Sequence, residues 1–342
     1  MTALSNMLLE ARAAPAAVER LSALSGAAID ALAQVLIEAK VRAAVTVARG
    51  SSDHAASHLS YLLMSRMGVL VTSLPPSVIT LHRAQIDGDG LAVLSFSQSG
   101  QSPDLVETMA VLAACRAVTA AFVNDISSPL AKAVHHVIDL QAGAEQSVAA
   151  TKSFIAQLAA GLRLYAGWAN DNGLRAALAS LPETLAVAAQ SDWSPAVEDL
   201  RDADRLFVIG RGASLAVAAE MALKFKEVCG IQAEAFSAAE VKHGPMALIA
   251  AGYPVLVLAP RGPGQEELIA LAKDLRGRGA RVLLAAVSGH VHSELPVVSA
   301  KHEALDTVSM VQSFYPMVEA LARARGHDPD RPPHLNKVTK TT

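Results

Sequence analysis

The spacing of hydrophobic and polar positions predicts strands that alternate with helices. Two amphipathic stretches, 3–24 and 26–39, come first and predict helices. Short apolar runs then alternate with longer helix-like stretches; the runs are Val45–Ala48, Val69–Leu74, Leu91–Phe96, Ala117–Val123 and Val137–Leu140. Uninterrupted apolar runs such as Leu91–Phe96 are typical of parallel strands that are covered on both faces. The first half therefore predicts an α/β unit with five parallel strands.

The alternation starts again in the second half, after helices that we expect at 149–168 and 174–190. Further strands are predicted at 206–209, 231–235, 254–259 and 281–286, and further helices at 213–229, 264–278 and 306–325. Arg49-Gly50-Ser51-Ser52 matches Arg211-Gly212-Ala213-Ser214, and another glycine follows 18 positions after the first glycine of each motif. This internal repeat predicts two copies of one α/β unit, with ligands at the carboxyl ends of the strands. We expect domains at 1–195 and 196–325 and a tail at 326–342.

Composition and charge exclude several classes of protein. Of the 342 residues, 52% are apolar and 18% are charged, which is too apolar for a disordered chain. The net charge of −3 indicates no basic surface for nucleic acid, and no uncharged apolar run is long enough to cross a membrane. Met1–Arg12 does not resemble a signal peptide, and Cys115 and Cys229 are expected to be small buried hydrophobes. We therefore expect a cytoplasmic protein with neither a nucleic-acid nor a membrane partner.

The loop Ser97-Gln98-Ser99-Gly100-Gln101-Ser102 is the clearest candidate for chemistry, because it joins an apolar strand to a helix. Ser102 can cap that helix, and Pro103 fits its first turn. Hydroxyls and backbone N–H groups at a helix N-terminus favour a phosphate, although an ordinary polar loop has the same composition. The loop contains no lysine, so it is not a nucleotide-type P-loop. Gly50-Ser51-Ser52 is a second candidate of this kind.

Glu220, Lys224 and Glu227 share one face of a predicted helix, because they are spaced by four and three positions. Such a face is either a solvated ladder of ion pairs or a place where a carboxylate moves a proton beside a lysine. The start of this helix at a strand end favours the second interpretation, since ligands are expected there. His243 precedes a Gly-Pro turn and is either a solvated residue or one that a loop presents to a ligand.

No metal and no cofactor are expected. The histidines are not arranged with carboxylates at the spacing of a zinc site. Gly210–Leu215 is close to a dinucleotide fingerprint, but Leu215 stands where that motif needs glycine or alanine.

Five ordered segments resemble the sugar isomerase (SIS) family, above all the isomerase half of glutamine–fructose-6-phosphate transaminases and standalone glucosamine-6-phosphate deaminases. The segments are Leu94–Ser102, Val148–Lys152, Ala222–Glu227, Glu240–Leu248 and Asp330–Lys337. The resemblance implies two tandem SIS domains, each a flavodoxin-like, doubly wound parallel sheet of five strands. It also implies a homodimer with a shared active site and a tail that enters that site.

The same resemblance implies a sugar 6-phosphate substrate and a role for each site residue. The implied substrate-binding residues are Gly50, Ser51, Ser52, Ser97, Gln98, Ser99, Ser102 and Val148. Glu227 would carry a proton between C1 and C2 of the sugar, with Lys224 as its supporting neighbour. His243 would open the sugar ring from the neighbouring subunit, and Lys337 would contact the open-chain sugar at its carbonyl.

The expected activity is that of a phosphosugar isomerase or deaminase. The chain begins without the glutaminase domain of the transaminases, so we expect release of ammonia from glucosamine 6-phosphate to give fructose 6-phosphate. Gln101 and Ala150 stand where the transaminases commonly have Glu and Ser. A deglycase of amine-linked sugar phosphates, a simple isomerase and a non-catalytic sugar-phosphate sensor are the alternatives. The joint presence of Glu227, His243 and Lys337 favours an enzyme, because binding alone needs none of them.

Overall fold

The structure is a computed structural model that describes residues 4–287 and 293–337. The chain forms two compact units that alternate along the sequence. The first-sheet unit consists of Ala16–Glu145, Lys152–Ala179 and Asn336–Thr342, and the second-sheet unit of Met1–Pro15, Gln146–Thr151 and Ser180–Leu335. The domain boundaries expected from the sequence stay predictions. The last tail residues, 338–342, lie outside the described residues.

Strands and helices alternate as the hydrophobic pattern predicts. The strands are β1 Ala43–Val47, β2 Leu70–Ser73, β3 Leu91–Ser97, β4 Val118–Val123, β5 His136–Asp139, β6 Arg205–Gly210, β7 Gln232–Ser237, β8 Pro254–Ala259, β9 Arg281–Val287 and β10 Leu295–Val297. The helices are α1 Asn6–Arg12, α2 Ala14–Arg20, α3 Gly26–Glu38, α4 Gly50–Met67, α5 Ser77–Thr80, α6 Pro103–Ala113, α7 Pro129–Lys132, α8 Lys152–Trp168, α9 Asn172–Leu178, α10 Leu181–Ala188, α11 Ser194–Leu200, α12 Ala213–Cys229, α13 Gln265–Gly277 and α14 Asp306–Ala324.

Each unit contains one parallel sheet of five strands. The strand order is β2-β1-β3-β4-β5 in the first sheet and β7-β6-β8-β9-β10 in the second. Counted from the first strand of each sheet, both orders are 2-1-3-4-5, which is the flavodoxin-like order. The predicted fold class, two tandem flavodoxin-like sheets flanked by helices, is therefore confirmed.

The sequence prediction missed or merged a few elements. The stretch 3–24 is not one helix, because α1 and α2 are separate and a π-helical turn, Leu21–Ser25, follows them. The predicted helix 174–190 is divided into α9 and α10, and Pro182 lies in the first turn of α10. Proline has no backbone N–H to continue a helix and is favoured at a helix start, which explains the division.

A membrane span is not the best explanation of the apolar stretch Ala14–Glu38, although its length and composition would suffice for one. Within the first-sheet unit, α3 packs against α8. Asp30 of α3 pairs with Arg163 of α8 at 2.8 Å. The helices approach closely at Gly167, where a Cβ atom would lie 2.8 Å from Cβ of Ala33. This contact makes α3 part of the globular packing of its unit.

Both cysteines are free thiols, as expected. Cys229 is buried, and its burial raises the pKa of the thiol to about 12. Cys115 was expected to be buried too, but it is partly exposed. Cys115 lies in the turn that follows α6, and its thiol donates a hydrogen bond to the Val111 carbonyl at 3.1 Å.

Candidate active site

The serine-rich loop forms a narrow turn between β3 and α6. The Ser97 hydroxyl accepts a hydrogen bond from the Gly100 N–H at 3.0 Å, and the Ser99 hydroxyl accepts one from Gln101 N–H at 3.3 Å. Gly100 has φ of 61°, and a Cβ atom there would lie 2.3 Å from Oγ of Ser128. Position 100 therefore requires glycine for both its backbone conformation and its space.

Ser102 occupies the N-cap position of α6 with extended backbone angles, φ −68° and ψ 118°. Its side chain makes no capping hydrogen bond, so the expectation that Ser102 caps the helix through its hydroxyl is wrong. Pro103 is in the first turn of α6, as predicted. The helix N-terminus thus faces the loop without a side-chain cap from Ser102, and its positive dipole end favours an anion.

The turn after β1 lies beside this loop, because β1 and β3 are neighbouring parallel strands. Gly50, with φ of 55°, begins α4. Arg49 donates from Nε and Nη2 to one carboxylate oxygen of buried Asp104 in α6, at 3.2 and 2.8 Å. The Ser52 hydroxyl accepts a hydrogen bond from the Gln157 side chain at 2.9 Å. The predicted groups 50–52 and 97–102 therefore meet where the strand order reverses, which is where such sheets bind ligands.

Arg49 and Gln157 were not predicted as site residues. The internal repeat offered a signal for Arg49, because Arg211 occupies the equivalent position in the second half of the chain. In the structure Arg211 pairs with Glu267 of α13 at 3.2 Å. No comparable signal exists for Gln157, which lies 105 positions from Ser52 in the sequence.

The charged face of α12 is mostly buried. The side chains of Glu220 and Lys224 are 0% and 1% exposed, and that of Glu227 is 19% exposed. The Lys224 ammonium lies 3.5 Å from a Glu220 oxygen and donates to a Glu227 oxygen, while the Tyr315 hydroxyl donates to Glu220 at 3.1 Å. A solvated ladder of ion pairs does not describe this arrangement.

Burial disfavours the charged form of Lys224, but the attraction of Glu220 and Glu227 and hydrogen bonds to both outweigh it. The pKa of Lys224 is therefore raised above its ordinary value. The lysine therefore stays protonated at neutral pH.

Glu227 lies in the last turn of α12, not near its start. At 1.5 Å per residue, the 14 residues from the helix start correspond to about 21 Å along the axis. Helix α12 does start at a strand end, but Glu227 itself lies far from the strand ends of its own sheet. The side chain instead lines a cleft of ≈ 380 Å³; the lining residues are Leu223, Lys226, Glu227, Val228, Gly230, His327, Pro333 and Leu335. This cleft is largely apolar, with three titratable groups at its wall.

The remaining predicted residues are held in different ways. The Glu10 carboxylate accepts hydrogen bonds from the backbone N–H groups of Gln146 and Ser147, which fixes the segment that carries Val148. His243 is exposed on a 3₁₀ turn, Glu240–His243. The Lys337 ammonium lies 3.1 Å from a Glu145 oxygen.

The predicted residues are divided between the two units. The groups 50–52 and 97–102 and Lys337 belong to the first-sheet unit, and Val148, Lys224, Glu227 and His243 belong to the second-sheet unit. In the first-sheet unit the structure brings Gly50–Ser52 to the serine-rich loop. In the second-sheet unit it brings Lys224 to Glu227. Among residues 4–287 and 293–337, no group of three or more potential ligands is arranged to hold a metal ion.

Comparisons with known proteins cover nearly the whole chain. A glutamine–fructose-6-phosphate aminotransferase (isomerizing) from Methanothermobacter thermautotrophicus is 32% identical over 301 residues, which are 85% of this chain and 50% of that protein. The enzyme of the same name from Thermococcus kodakarensis is 31% identical over 86% of this chain and 51% of its own length. The chain thus spans about half the length of these relatives.

Solved structures share the fold. A Silicibacter pomeroyi protein, provisionally described as a phosphosugar isomerase, is 42% identical and has a TM-score of 0.91 over 96% of this chain and 100% of that chain. Glucosamine-6-phosphate deaminase from Thermotoga maritima has a TM-score of 0.79 over 98% of this chain and 100% of that chain. At 22% identity, that likeness concerns the fold alone.

The family profile described as SIS domain matches the chain twice, over residues 36–166 and 199–321. Each match contains all five strands of one of the two parallel sheets. The chain therefore belongs to the SIS domain family of phosphosugar isomerases.

Proposed function

We propose that the protein is an aldose–ketose isomerase of amino sugar 6-phosphates and that it hydrolyses glucosamine 6-phosphate to fructose 6-phosphate and ammonia. The observation that carries this proposal is the Glu227 carboxylate, which is partly exposed at a cleft and held by the buried Lys224 ammonium. A carboxylate placed in this way can take a proton from one carbon of the sugar and return it to the next. The relatives named glutamine–fructose-6-phosphate aminotransferase (isomerizing) support the same substrate class.

The phosphate group is assigned to the loop 97–102 and to Gly50–Ser52. The loop supplies serine hydroxyls and lies at the start of α6, whose positive dipole end suits a dianion. Binding energy from a phosphate that does not react can orient the sugar for proton transfer. Val148 is assigned a backbone contact to the sugar, because Glu10 fixes the two N–H groups that precede it.

Lys337 and His243 are assigned to the carbonyl and to ring opening. A lysine can polarise a sugar carbonyl or form a Schiff base with it. A histidine can give and accept protons near neutral pH, as ring opening requires. His243 is exposed near Leu248, whose side chain is 63% exposed, and we propose that this surface meets a second subunit of a homodimer. Because charged sugar phosphates do not cross membranes unaided, we place the reaction in the cytoplasm.

The decisive experiment measures ammonia release from a panel of amino sugar 6-phosphates. Glu227→Gln keeps the size of the side chain but removes the base. We expect kcat to fall about 10²–10⁴-fold with little change in KM, and exchange of the C1 or C2 hydrogen with deuterated solvent to stop. Glu266→Gln, on an exposed position of α13, is the matched control and should behave as the wild type. Full exchange in Glu227→Gln, or no ammonia from any substrate of the panel, would refute the proposal.

The homodimer is tested separately by mixing subunits. Glu227→Gln and His243→Ala chains should each be inactive, and hybrids should regain activity if His243 serves the site of the other subunit. Mass spectrometry of differently tagged chains confirms that the subunits have exchanged. Confirmed hybrids without activity would contradict the shared site and leave the role of Glu227 unaffected.

Deglycation of an amine-linked sugar phosphate is a second candidate function. The cleft beside Glu227 is lined by Leu223, Val228, Pro333 and Leu335, an apolar surface that free ammonia does not need. An N-alkyl substituent on the amine would bury against these side chains. A higher kcat/KM for an N-alkyl amino sugar phosphate than for glucosamine 6-phosphate would favour this candidate over deamination.

A further inference from the structure

Glu145 is a buried carboxylate that contacts the tail lysine. Its side chain is 0% exposed, and that of Lys337 is 24% exposed. One Glu145 oxygen, Oε1, accepts a hydrogen bond from the Ser153 N–H at 3.1 Å, and Oε2 accepts one from the Ser153 hydroxyl at 2.7 Å. The Lys337 ammonium donates to the same Oε2 at 3.1 Å. All three residues belong to the first-sheet unit.

The surroundings of Glu145 are built to hold a negative charge. Ser153 is the second residue of α8, a helix of 17 residues, so the carboxylate lies at the positive end of the helix dipole. The two hydrogen bonds that Ser153 donates fix the orientation of the Glu145 carboxylate. A buried carboxylate held in this way is strongly stabilised by a cation at hydrogen-bond distance.

Lys337 depends on such a contact for its position. The described tail after Arg331 contains neither helix nor strand, and most of its residues are exposed. A lysine on an irregular segment samples many rotamers. The conformational entropy that is lost when one rotamer is fixed opposes any single productive geometry. The ion pair with Glu145 selects one of these positions.

We propose that Glu145 is the positioning residue for Lys337, which it holds where the amine meets the sugar carbonyl and whose proton it accepts. This inference rests on the proposed role of Lys337. In the step itself, a proton moves from the Lys337 ammonium to Glu145 Oε2, and the amine nitrogen then attacks the carbonyl carbon. The C–N bond forms, the former carbonyl oxygen leaves as water with protons from the amine and Glu145, and a Schiff base results. No oxidant or reductant is needed.

The test compares three variants by borohydride trapping of fructose 6-phosphate on the intact protein, with the modified peptide identified by mass spectrometry. Glu145→Gln keeps the size of the side chain and removes the charge. We expect trapping at Lys337 and kcat to fall about 10²-fold, with KM changed less than about threefold, because misplacement of about 1 Å has an effect of this order. Glu145→Asp keeps the charge and should recover part of both. Glu183→Gln, on α10, is the control and should match the wild type.

The outcomes separate this inference from the proposed function. Loss of trapping in Lys337→Ala together with normal trapping in Glu145→Gln would overturn the positioning role and leave the function intact. No trapping in the wild type, with Lys337→Ala still active, would instead remove Lys337 from the mechanism. A general structural defect would lower the melting temperature and raise KM equally in Glu145→Gln and Glu145→Asp, and that pattern would also overturn the inference.

If Glu145→Gln does not fold, Ser153→Ala provides the second measurement. It removes the hydroxyl that fixes Oε2 and leaves the Glu145 charge in place. We expect trapping to fall several-fold in this variant without a change in KM, and unchanged trapping would count against the proposal.

Discussion

Replacement of Lys224 by methionine should strongly destabilise the second-sheet unit. Methionine is close to lysine in length and fits the same buried space, so the main change is the loss of the positive charge. In the native protein this charge lies between the carboxylates of Glu220 and Glu227. Without it, Glu220 keeps the hydrogen bond from Tyr315 but has lost its described cation partner.

The magnitude follows from burial. Removal of one partner from a buried ion pair typically costs about 3–5 kcal/mol, because the other charge is left uncompensated. Glu220 is 0% exposed and Lys224 is 1% exposed, so this range applies to Lys224→Met. Glu227 is 19% exposed and can be hydrated, so Glu227→Gln should cost about 1 kcal/mol or less. The double variant Lys224→Met/Glu220→Gln should recover much of the loss, since it removes the stranded charge.

The two tryptophans of the chain allow each unit to be observed separately. Trp193 belongs to the second-sheet unit and Trp168 to the first-sheet unit. In a Trp168→Phe background, urea unfolding followed by fluorescence reports the unit that contains Lys224. In a Trp193→Phe background it reports the other unit, which should change less.

Lys226→Met is the matched control, because Lys226 lies on the same helix but is exposed. We expect its free energy of unfolding to stay within about 0.5 kcal/mol of the parent. The reasoning would be refuted if Lys224→Met cost less than about 1 kcal/mol by the Trp193 signal, or if the double variant were no more stable than the single one.

Three further predictions test the loop, the core and the thiols. Gly100→Ala should raise KM for sugar phosphates at least about tenfold in steady-state assays, because the new Cβ would lie 2.3 Å from Ser128 Oγ in a backbone conformation with φ of 61°. Burial lowers the pKa of His58 from 6.5 to about 4, so between these values the unfolded state binds more protons than the folded state. The free energy of unfolding should therefore fall by about 3 kcal/mol as the pH drops from 6.5 to 4, and His58→Gln should reduce this fall. Burial raises the pKa of Cys229 to about 12, so a thiol reagent at pH 8 should label Cys115 alone in the folded protein and both cysteines after denaturation.

The fold could be predicted from the sequence because strands that are buried on both faces consist of uninterrupted runs of apolar residues. All nine predicted runs coincide with strands of the two sheets, with ends that differ by at most two residues. The tenth strand, Leu295–Val297, is too short to form such a run and contains Pro296. It lies at the edge of its sheet, which is where a strand tolerates proline.

The candidate site could be predicted only where it is local in sequence. The serine-rich loop is recognisable because a strand, a glycine and a proline-started helix follow one another within a few positions. The partners that fix the site are distant in sequence: Gln157 lies 105 positions from Ser52, and Glu145 lies 192 positions from Lys337. No spacing rule connects such pairs, since the packing of whole helices and of the tail brings them together.

The charged face of α12 shows that helix spacing predicts which side chains share a face but not what covers that face. The spacing of Glu220, Lys224 and Glu227 correctly indicates one shared face. Helix α14 packs against α12, Phe314 lies edge-on to Phe225 with ring centroids 5.2 Å apart, and Tyr315 reaches Glu220. A face that would be solvated on an isolated helix is therefore buried at two of its three charges. Of these three charges only Glu227, in the last turn of the helix, lines a cleft, and its carboxylate accepts a hydrogen bond from the buried Lys224 ammonium.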